Sequence, residues 1–501
     1  MKIKKASFKT ETACQPRLSE SFVEGRLSLP PEKSEIDRVL FIQGRIHVNA
    51  EPADGKVFMD GSVVFSVVYM TAGGGIDAFE ASSPFRHSEE MAGAGAGMTL
   101  SAKGSVKDVN FSLEDVRTVY VKGIVSVNLR GSMSKSCEAV TGADSELQVR
   151  MAKRRLKVTR DQKRDTMMLR EDVRLPQALP IAEKILSADA YPVVRSVHTE
   201  ELKIVVEGDL KLSVLYLSTD KGAPLQQYTE SIPFGHILAS EEISPEDMIS
   251  VDASLADLSV SVAEEAGDIF RVSAKISIMA AARADNEVQY LEDAYSLRNK
   301  MMLKYDEQAC RHLVLSECTK AIARSTISVP PAEPSVSRIV CLKASPTIAA
   351  VHPGTDRVYI EGLMMFTLCY TSTEGMWSYT GETPFEAEVQ MDGITADQEV
   401  EVNADVEYCS YEGTGRDISV KFMLDVEVRA FAQSLMRLVS DMTEMDEAPA
   451  RNQGITIYFA DGGETTWDIA KRYTTTLDIV KKFNPDIGDT AGPGQKILIM
   501  S

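Results

Sequence analysis

At about 150 residues per domain, a chain of 501 residues implies roughly three to four domains. Its hydrophobic share of 44% and charged share of 26% fit a folded protein and exclude wholesale disorder. With 54 Lys and Arg against 74 Asp and Glu, the net charge of −20 argues against a general binder of nucleic acid or anionic membrane.

The first twenty residues, MKIKKASFKTETACQPRLSE, carry basic side chains with no apolar core behind them, so no secretory signal is expected. No apolar run approaches the 18 residues of a membrane-spanning helix; Val63 to Met70 is far too short, and no transmembrane segment is expected. Seven cysteines (14, 137, 310, 318, 341, 369, 409) are scattered without a CxxC spacing, which predicts reduced thiols rather than a disulfide framework or a zinc site.

The chain then repeats itself at domain scale. Three segments open alike: LPPEKSEIDRVL from Leu29, LPQALPIAEKIL from Leu175 and VPPAEPSVSRIV from Val329. Each leads into a block in which a glycine precedes a tyrosine by eight residues: Gly61 and Tyr69, Gly208 and Tyr216, Gly362 and Tyr370. A Pro-Phe pair follows 22 to 25 residues after the glycine, at Pro84-Phe85, Pro233-Phe234 and Pro384-Phe385. An alternating segment closes each copy, as in VYVKGIVSVNL, FRVSAKISIMA and ISVKFMLDVEV. Val206, Leu210, Leu212, Val214 and Tyr216 recur at period two, the mark of a strand with one face on a core. The proline-led openings predict a short helical turn. The polar stretches 132–173 and 283–327 are expected to be strands or extensions of the repeats as much as linkers. The spacing thus predicts a multidomain, mainly β protein: three homologous, β-rich, sandwich-like repeats over 1–150, 151–300 and 301–434.

Between the first two copies lies a basic run, Arg150, Lys153, Arg154, Arg155, Lys157, Arg160, Lys163 and Arg164. It lacks interleaved aromatics and predicts a solvated face paired with acidic neighbours rather than a nucleic-acid site. The glycines 93, 95 and 97 precede a strand-like segment instead of a helix, so they form a loop and not a phosphate cradle. The six histidines are dispersed, and neither GxSxG nor a P-loop occurs. No catalytic residue, cofactor or metal site is expected, and the chain reads as non-enzymatic.

Residues 435–454 are polar and read as a linker. The last 47 residues then predict strand, helix, helix, strand. Ile455, Ile457 and Phe459 alternate; Thr465 and Asp468 open one helix, and Thr475 and Asp478 open a second. Trp467, Ala470 and Tyr473 share a helical face, and Ile497 and Ile499 supply the closing strand.

This tail, 455–501, resembles a LysM domain along its whole length, through Gly463-Glu464-Thr465, Trp467-Asp468-Ile469-Ala470, Asn484 and Pro493-Gly494-Gln495-Lys496. The repeats resemble SPOCS domains, which accompany LysM in spore-coat morphogenetic proteins, and the order of modules resembles that family over nearly the whole chain. The LysM resemblance implies a groove for N-acetylglucosamine chains between two loops: Gly463, Glu464, Thr465 and Thr466 on one side, Asn484, Pro485, Asp486, Ile487 and Gly488 on the other. Glu464 stands where the family usually has Asp, and Asp489 adds an acid to the second loop. In the coat-morphogenetic family the resemblance implies that LysM grips a protein, the ATPase of the coat's basement layer. The implied role is a structural scaffold in the mother-cell cytoplasm at the forespore surface, with self-association through the repeats; the alternative is a peptidoglycan-binding protein of the cell envelope. Asn484 is expected to make polar contacts only with a partner, whereas Ile469 and Tyr473 point into the core.

Overall fold

The computed structural model describes residues 2–95, 97–143, 147–220, 222, 224–263, 267–447 and 454–500. Repeat 1 comprises β1 (Ile3–Ala13), β2 (Arg17–Ser28), β3 (Ile36–Ala53), β4 (Lys56–Thr71), β5 (Ile76–Glu90), β6 (Met98–Asp115) and β7 (Thr118–Ala143). Repeat 2 comprises β8 (Leu147–Arg174), β9 (Ala182–Glu200), β10 (Lys203–Ser218), β11 (Leu225–Ala239), β12 (Met248–Val262) and β13 (Ile269–Ser296). Repeat 3 comprises β14 (Met301–Ser328), β15 (Arg338–Pro353), β16 (Arg357–Ser372), β17 (Gly375–Gln390), β18 (Glu399–Glu412) and β19 (Asp417–Glu444). In each, an antiparallel meander (β3-β4-β5, β9-β10-β11, β15-β16-β17) packs against a second antiparallel sheet built on β7, β13 or β19. β8 and β14 are continuous strands, while their counterpart in repeat 1 is split into β1 and β2 around Pro16, which has no N–H for the ladder.

The repeat signature now has a physical reading. Each signature glycine lies directly opposite the phenylalanine of the Pro-Phe pair: Gly61 faces Phe85, Gly208 faces Phe234 and Gly362 faces Phe385. A Cβ there would meet the facing ring and, at 2.0 to 2.4 Å, the carbonyl of His47, Val193 or Thr347 on the other neighbouring strand. Only glycine leaves room there for both the ring and the neighbouring carbonyl. Tyr69, Tyr216 and Tyr370 are completely buried. Their hydroxyls donate to the carbonyls of Ser34 (3.1 Å), Pro180 (3.0 Å) and Pro334 (3.0 Å), tying the opening segment to the core. Those openings contain no helix: Lys33, Leu179 and Glu333 each donate to a proline carbonyl three residues back, a single turn, and the chain then runs into a strand. The apolar residues after the prolines serve the next strand instead of a helical face.

The inter-repeat stretches are strands. The C-terminal halves of β7, β13 and β19 project beyond their sandwiches and pair with β1, β8 and β14, making three antiparallel ribbons. The ribbons pack together through topologically equivalent side chains, Ala139, Tyr290 and Leu438, then Val140, Leu291 and Val439. β19 runs to Glu444, and Met436, Leu438, Val439 and Met442 are buried, so the first part of the segment read as a linker is ribbon. Its residues 448–453 lie outside the described residues.

A βααβ domain ends the chain: β20 (Ile455–Phe459), α1 (Thr466–Arg472), α2 (Leu477–Phe483) and β21 (Lys496–Met500), with β20 and β21 antiparallel. Ile469, Ala470, Val480, Ile497 and Ile499 form its core.

Candidate functional site

The two loops of the C-terminal domain lie side by side. Thr465 pairs with Thr490 in an isolated bridge, Ala491 N donates to Glu464 O at 2.8 Å, and Thr466 N donates to Asp489 O at 2.9 Å. Thr465 caps α1, its Oγ1 accepting from Asp468 N at 3.1 Å. The cap of α2 is Thr476, which accepts from Ile479 N; Thr475, expected in that role, donates to Met500 O at 2.9 Å and ties the helix to β21.

The nine residues of the expected groove divide by burial. Gly463, Pro485, Asp486 and Gly488 are exposed; Glu464, Thr465 and Asn484 are half-buried; Thr466 and Ile487 are buried. Thr466 Oγ1 donates to Gly488 O, joining the two loops from inside. Glu464 accepts from Tyr458 and Arg472, whose hydrogen bonds hold its carboxyl below the ordinary glutamate value. Asn484 departs from expectation. Its Nδ2 donates to Val480 O (2.8 Å) and Leu498 O (2.8 Å), and its Oδ1 accepts from Leu498 N (2.7 Å). The amide therefore closes α2 onto β21 and has no spare donor for a partner. Tyr473 is half-buried at the end of α1, packed on Tyr458, rather than in the centre of the core.

Trp467 is buried, but its companion is another domain. Its ring meets Tyr295 of β13 edge-on with centroids 5.0 Å apart, and its Nε1 donates to Asp293 at 2.8 Å. Lys471 Nζ reaches both oxygens of Asp293 at 2.6 and 2.8 Å; Tyr305 of β14 donates to it at 2.8 Å, and Tyr295 donates to Thr475 O at 2.7 Å. Burial pushes the Asp293 carboxyl upward, but the hydrogen bonds from Lys471, Trp467 and Tyr305 outweigh it and hold the group below its ordinary value. The domain is thus seated on the ribbons of repeats 2 and 3 through the Trp467 face. The outer face of its small sheet stays open, with Ile455, Ile457, Phe459 and Met500 exposed. Trp467 belongs to the same core cluster as Ile469 and Ala470, and only the fold brings Asp293, 174 residues away, to its indole.

The repeats meet at two places. At one, a bulge in the first strand of each meander turns Leu40, Leu186 and Val340 outward to a shared apolar hub with Phe41, Val68, Leu215, Cys341 and Cys369. Beside it three equivalent residues differ in charge: Gln43, Asp189 and Lys343, each five residues before the partner of the signature glycine. Gln43 Nε2 donates to Asp189 at 2.7 Å, and Lys343 donates to Gln43 Oε1 and, at 3.0 Å, to Ser187. Nearer the ribbons the pairs run cyclically: Arg130 of repeat 1 to Glu427 of repeat 3 (3.1 Å), Arg429 of repeat 3 to Asp252 of repeat 2, and Arg283 of repeat 2 to Glu11 of repeat 1 (3.4 Å). Burial pushes Glu427 upward, yet Arg429, Arg130 and Lys103 outweigh it and bring its carboxyl down to about 2. A central cavity of about 1740 Å³, lined by all three repeats, lies between the two meeting places. The basic run forms part of β8, where Arg150, Lys153 and Lys157 pair with Glu292, Glu287 and Asp285 of β13 at 3.0 to 3.2 Å.

Three matching sandwiches with one signature invite comparison with known families. The family model described as SipL, SPOCS domain, matches residues 35–114, 182–263 and 335–414. Each repeat is similar to a SPOCS domain over the residues matched. Each match begins at the first strand of a meander and ends with the strand before β7, β13 or β19, so it covers the glycine, the tyrosine and the Pro-Phe pair of every copy. The SPOCS matches leave the ribbons and the βααβ domain outside them. No curated protein and no solved structure matches the chain.

Proposed function

We propose that this chain is a non-enzymatic scaffold of the spore coat, in which three SPOCS domains form a body that presents one LysM-type domain to a coat partner at the forespore surface, on the mother-cell side. The observation that carries this reading is the SipL SPOCS match at all three repeats, joined to a terminal βααβ domain with LysM spacing.

The partner favoured is a protein, the ATPase of the coat's basement layer. The expected groove offers few free polar groups, because Glu464, Thr466 and Asn484 are spent on the domain's own fold. The exposed strand face of Ile455, Ile457 and Phe459 supplies a flat apolar surface of the kind that marks protein contacts. With Trp467 occupied by Asp293, this face and the loop residues Gly463, Pro485, Asp486 and Gly488 remain for the partner.

A fluorescent fusion imaged during sporulation tests the reading. A ring around the forespore, with capture of the coat ATPase in pull-down, supports it. A signal on the vegetative wall, with sedimentation on peptidoglycan and no capture of the ATPase, replaces it with the envelope reading.

A further inference from the structure

Cys341 on β15 and Cys369 on β16 lie directly opposite each other in an antiparallel ladder. Cross-strand Cβ atoms at such positions are about 4.5–5.5 Å apart. A disulfide needs about 3.5–4.5 Å, an adjustment of about an ångström. The register shifts between Ile339 and Cys341, so the first cysteine follows a bulge, where the strand is locally irregular. Both thiols are nearly completely buried in the hub where the three repeats meet. The equivalent pairs in the other repeats, Phe41 with Val68 and Ser187 with Leu215, have no such chemistry.

We propose that Cys341 and Cys369 are a redox-active pair that closes to a cross-strand disulfide when the protein meets a peroxide, stapling repeat 3 at the three-domain hub. The environment divides the roles. Cys369 donates a hydrogen bond to the Cys341 sulfur and the Lys343 ammonium lies near, both drawing the Cys341 thiol downward against burial, while Cys369 is driven up. Cys341 is the nucleophile: its thiolate attacks one peroxide oxygen, the O–O bond breaks, and hydroxide leaves to give a sulfenic acid. The Cys369 sulfur then attacks the sulfenic sulfur. Its proton and the departing hydroxyl form water, so two thiols and one peroxide give one disulfide and two waters. Val340, Leu342 and Lys343, flanking Cys341, line the central cavity, so a peroxide held there is one side-chain layer from the buried pair.

The test uses the reduced full chain, treated with hydrogen peroxide under native conditions, quenched, alkylated and mapped by mass spectrometry. The expected result is a peptide joining Cys341 to Cys369, with the five other cysteines of the seven alkylated, and return of both thiols on reduction. Cys369→Ala should abolish the link and leave Cys341 trappable by dimedone as the sulfenic acid; Cys318→Ser should leave the link intact. Retention of both thiols by the native wild type, or a link that joins other cysteines instead, overturns the proposal, and that wild-type map decides the matter even if Cys369→Ala does not fold.

Discussion

The interior of a repeat and the seams between repeats are built on different rules. Inside, equivalent positions hold the same residue: the buried tyrosine, the glycine and the facing phenylalanine occur three times. At the seams, polar and bulky equivalent positions differ: Gln43, Asp189 and Lys343 at the hub, Ala139, Tyr290 and Leu438 in the ribbons. Copies of one fold share one core solution, but three copies around a common centre cannot all bring the same charged or bulky side chain to one point. Three lysines would repel and three tyrosines would not fit. Divergence at the seams also makes the order of the domains unique, since exchanging two would bring like charges together or leave a carboxylate without its cation.

This contrast can be broken by substitution, beginning with the interior. Tyr216→Ala removes a completely buried ring and the hydroxyl bond to Pro180, so unfolding of the chain should require about 3–5 kcal/mol less free energy, read from denaturant titration. The same truncation at Tyr69 or Tyr370 should cost a similar amount; a negligible loss at any of the three would mean that the cores are not equivalent.

At the seams the effect should be nearly as large and of a different kind. Arg429→Met leaves Glu427 and Asp252 without their shared guanidinium, a cost of about 3 kcal/mol. The expected readout is parting of the domains, seen as an increase in radius of gyration by small-angle scattering, before any sandwich melts. The pH dependence has a definite sign. Glu427 has a folded value of about 2 against about 4.3 for a free glutamate, so its contribution is complete above the free value and is lost as pH falls from about 4 to 2. Domain parting in wild type on raising the pH from 5 to 8 would contradict this.

The C-terminal domain sharpens the contrast, because its polar residues serve either its own fold or its seat. Asn484→Ala removes three bonds to backbone groups and should destabilise this domain by about 2–3 kcal/mol while leaving the body's transition unchanged. Hydrogen exchange over 455–500 is the measurement, and unchanged protection there would restore Asn484 to a purely partner-facing role. Asp293→Asn should weaken the seat by about 1–2 kcal/mol without unfolding either side, because the Lys471 charge loses its counterion. Trp467 emission should shift to the red as its indole meets water. The smallest effect belongs to the surface: Lys153→Ala, which breaks an exposed pair with Glu287, should change stability by less than about 0.5 kcal/mol in thermal melts.

Much of this architecture is legible in the sequence. Period-two alternation marked the strands, and eight-residue spacing between Gly208 and Tyr216 marked a single strand, since an even separation puts both residues on one face of it. Thr465 announced its helix because a cap acts within three residues. The errors share a cause in distance along the chain. Thr475 and Thr476 are adjacent and alike, and which one caps depends on the tie from Thr475 to Met500, 25 residues on. Asn484 looked like a ligand residue because nothing local reveals that its amide is consumed by Leu498.

What the sequence determined by itself is the content of each unit: three β-rich repeats with one core and a small βααβ domain, because alternation, turns and caps are local and a repeated pattern reports itself three times. What only the tertiary structure decided is how the units are joined. The bulges that turn Leu40, Leu186 and Val340 to the hub add one residue to a strand without altering its composition, and the cycle of Arg130, Arg283 and Arg429 spans partners 177 to 297 residues away. Charge and shape complementarity between distant segments leaves no period in a sequence; it exists only once the chain has folded and the three surfaces have met.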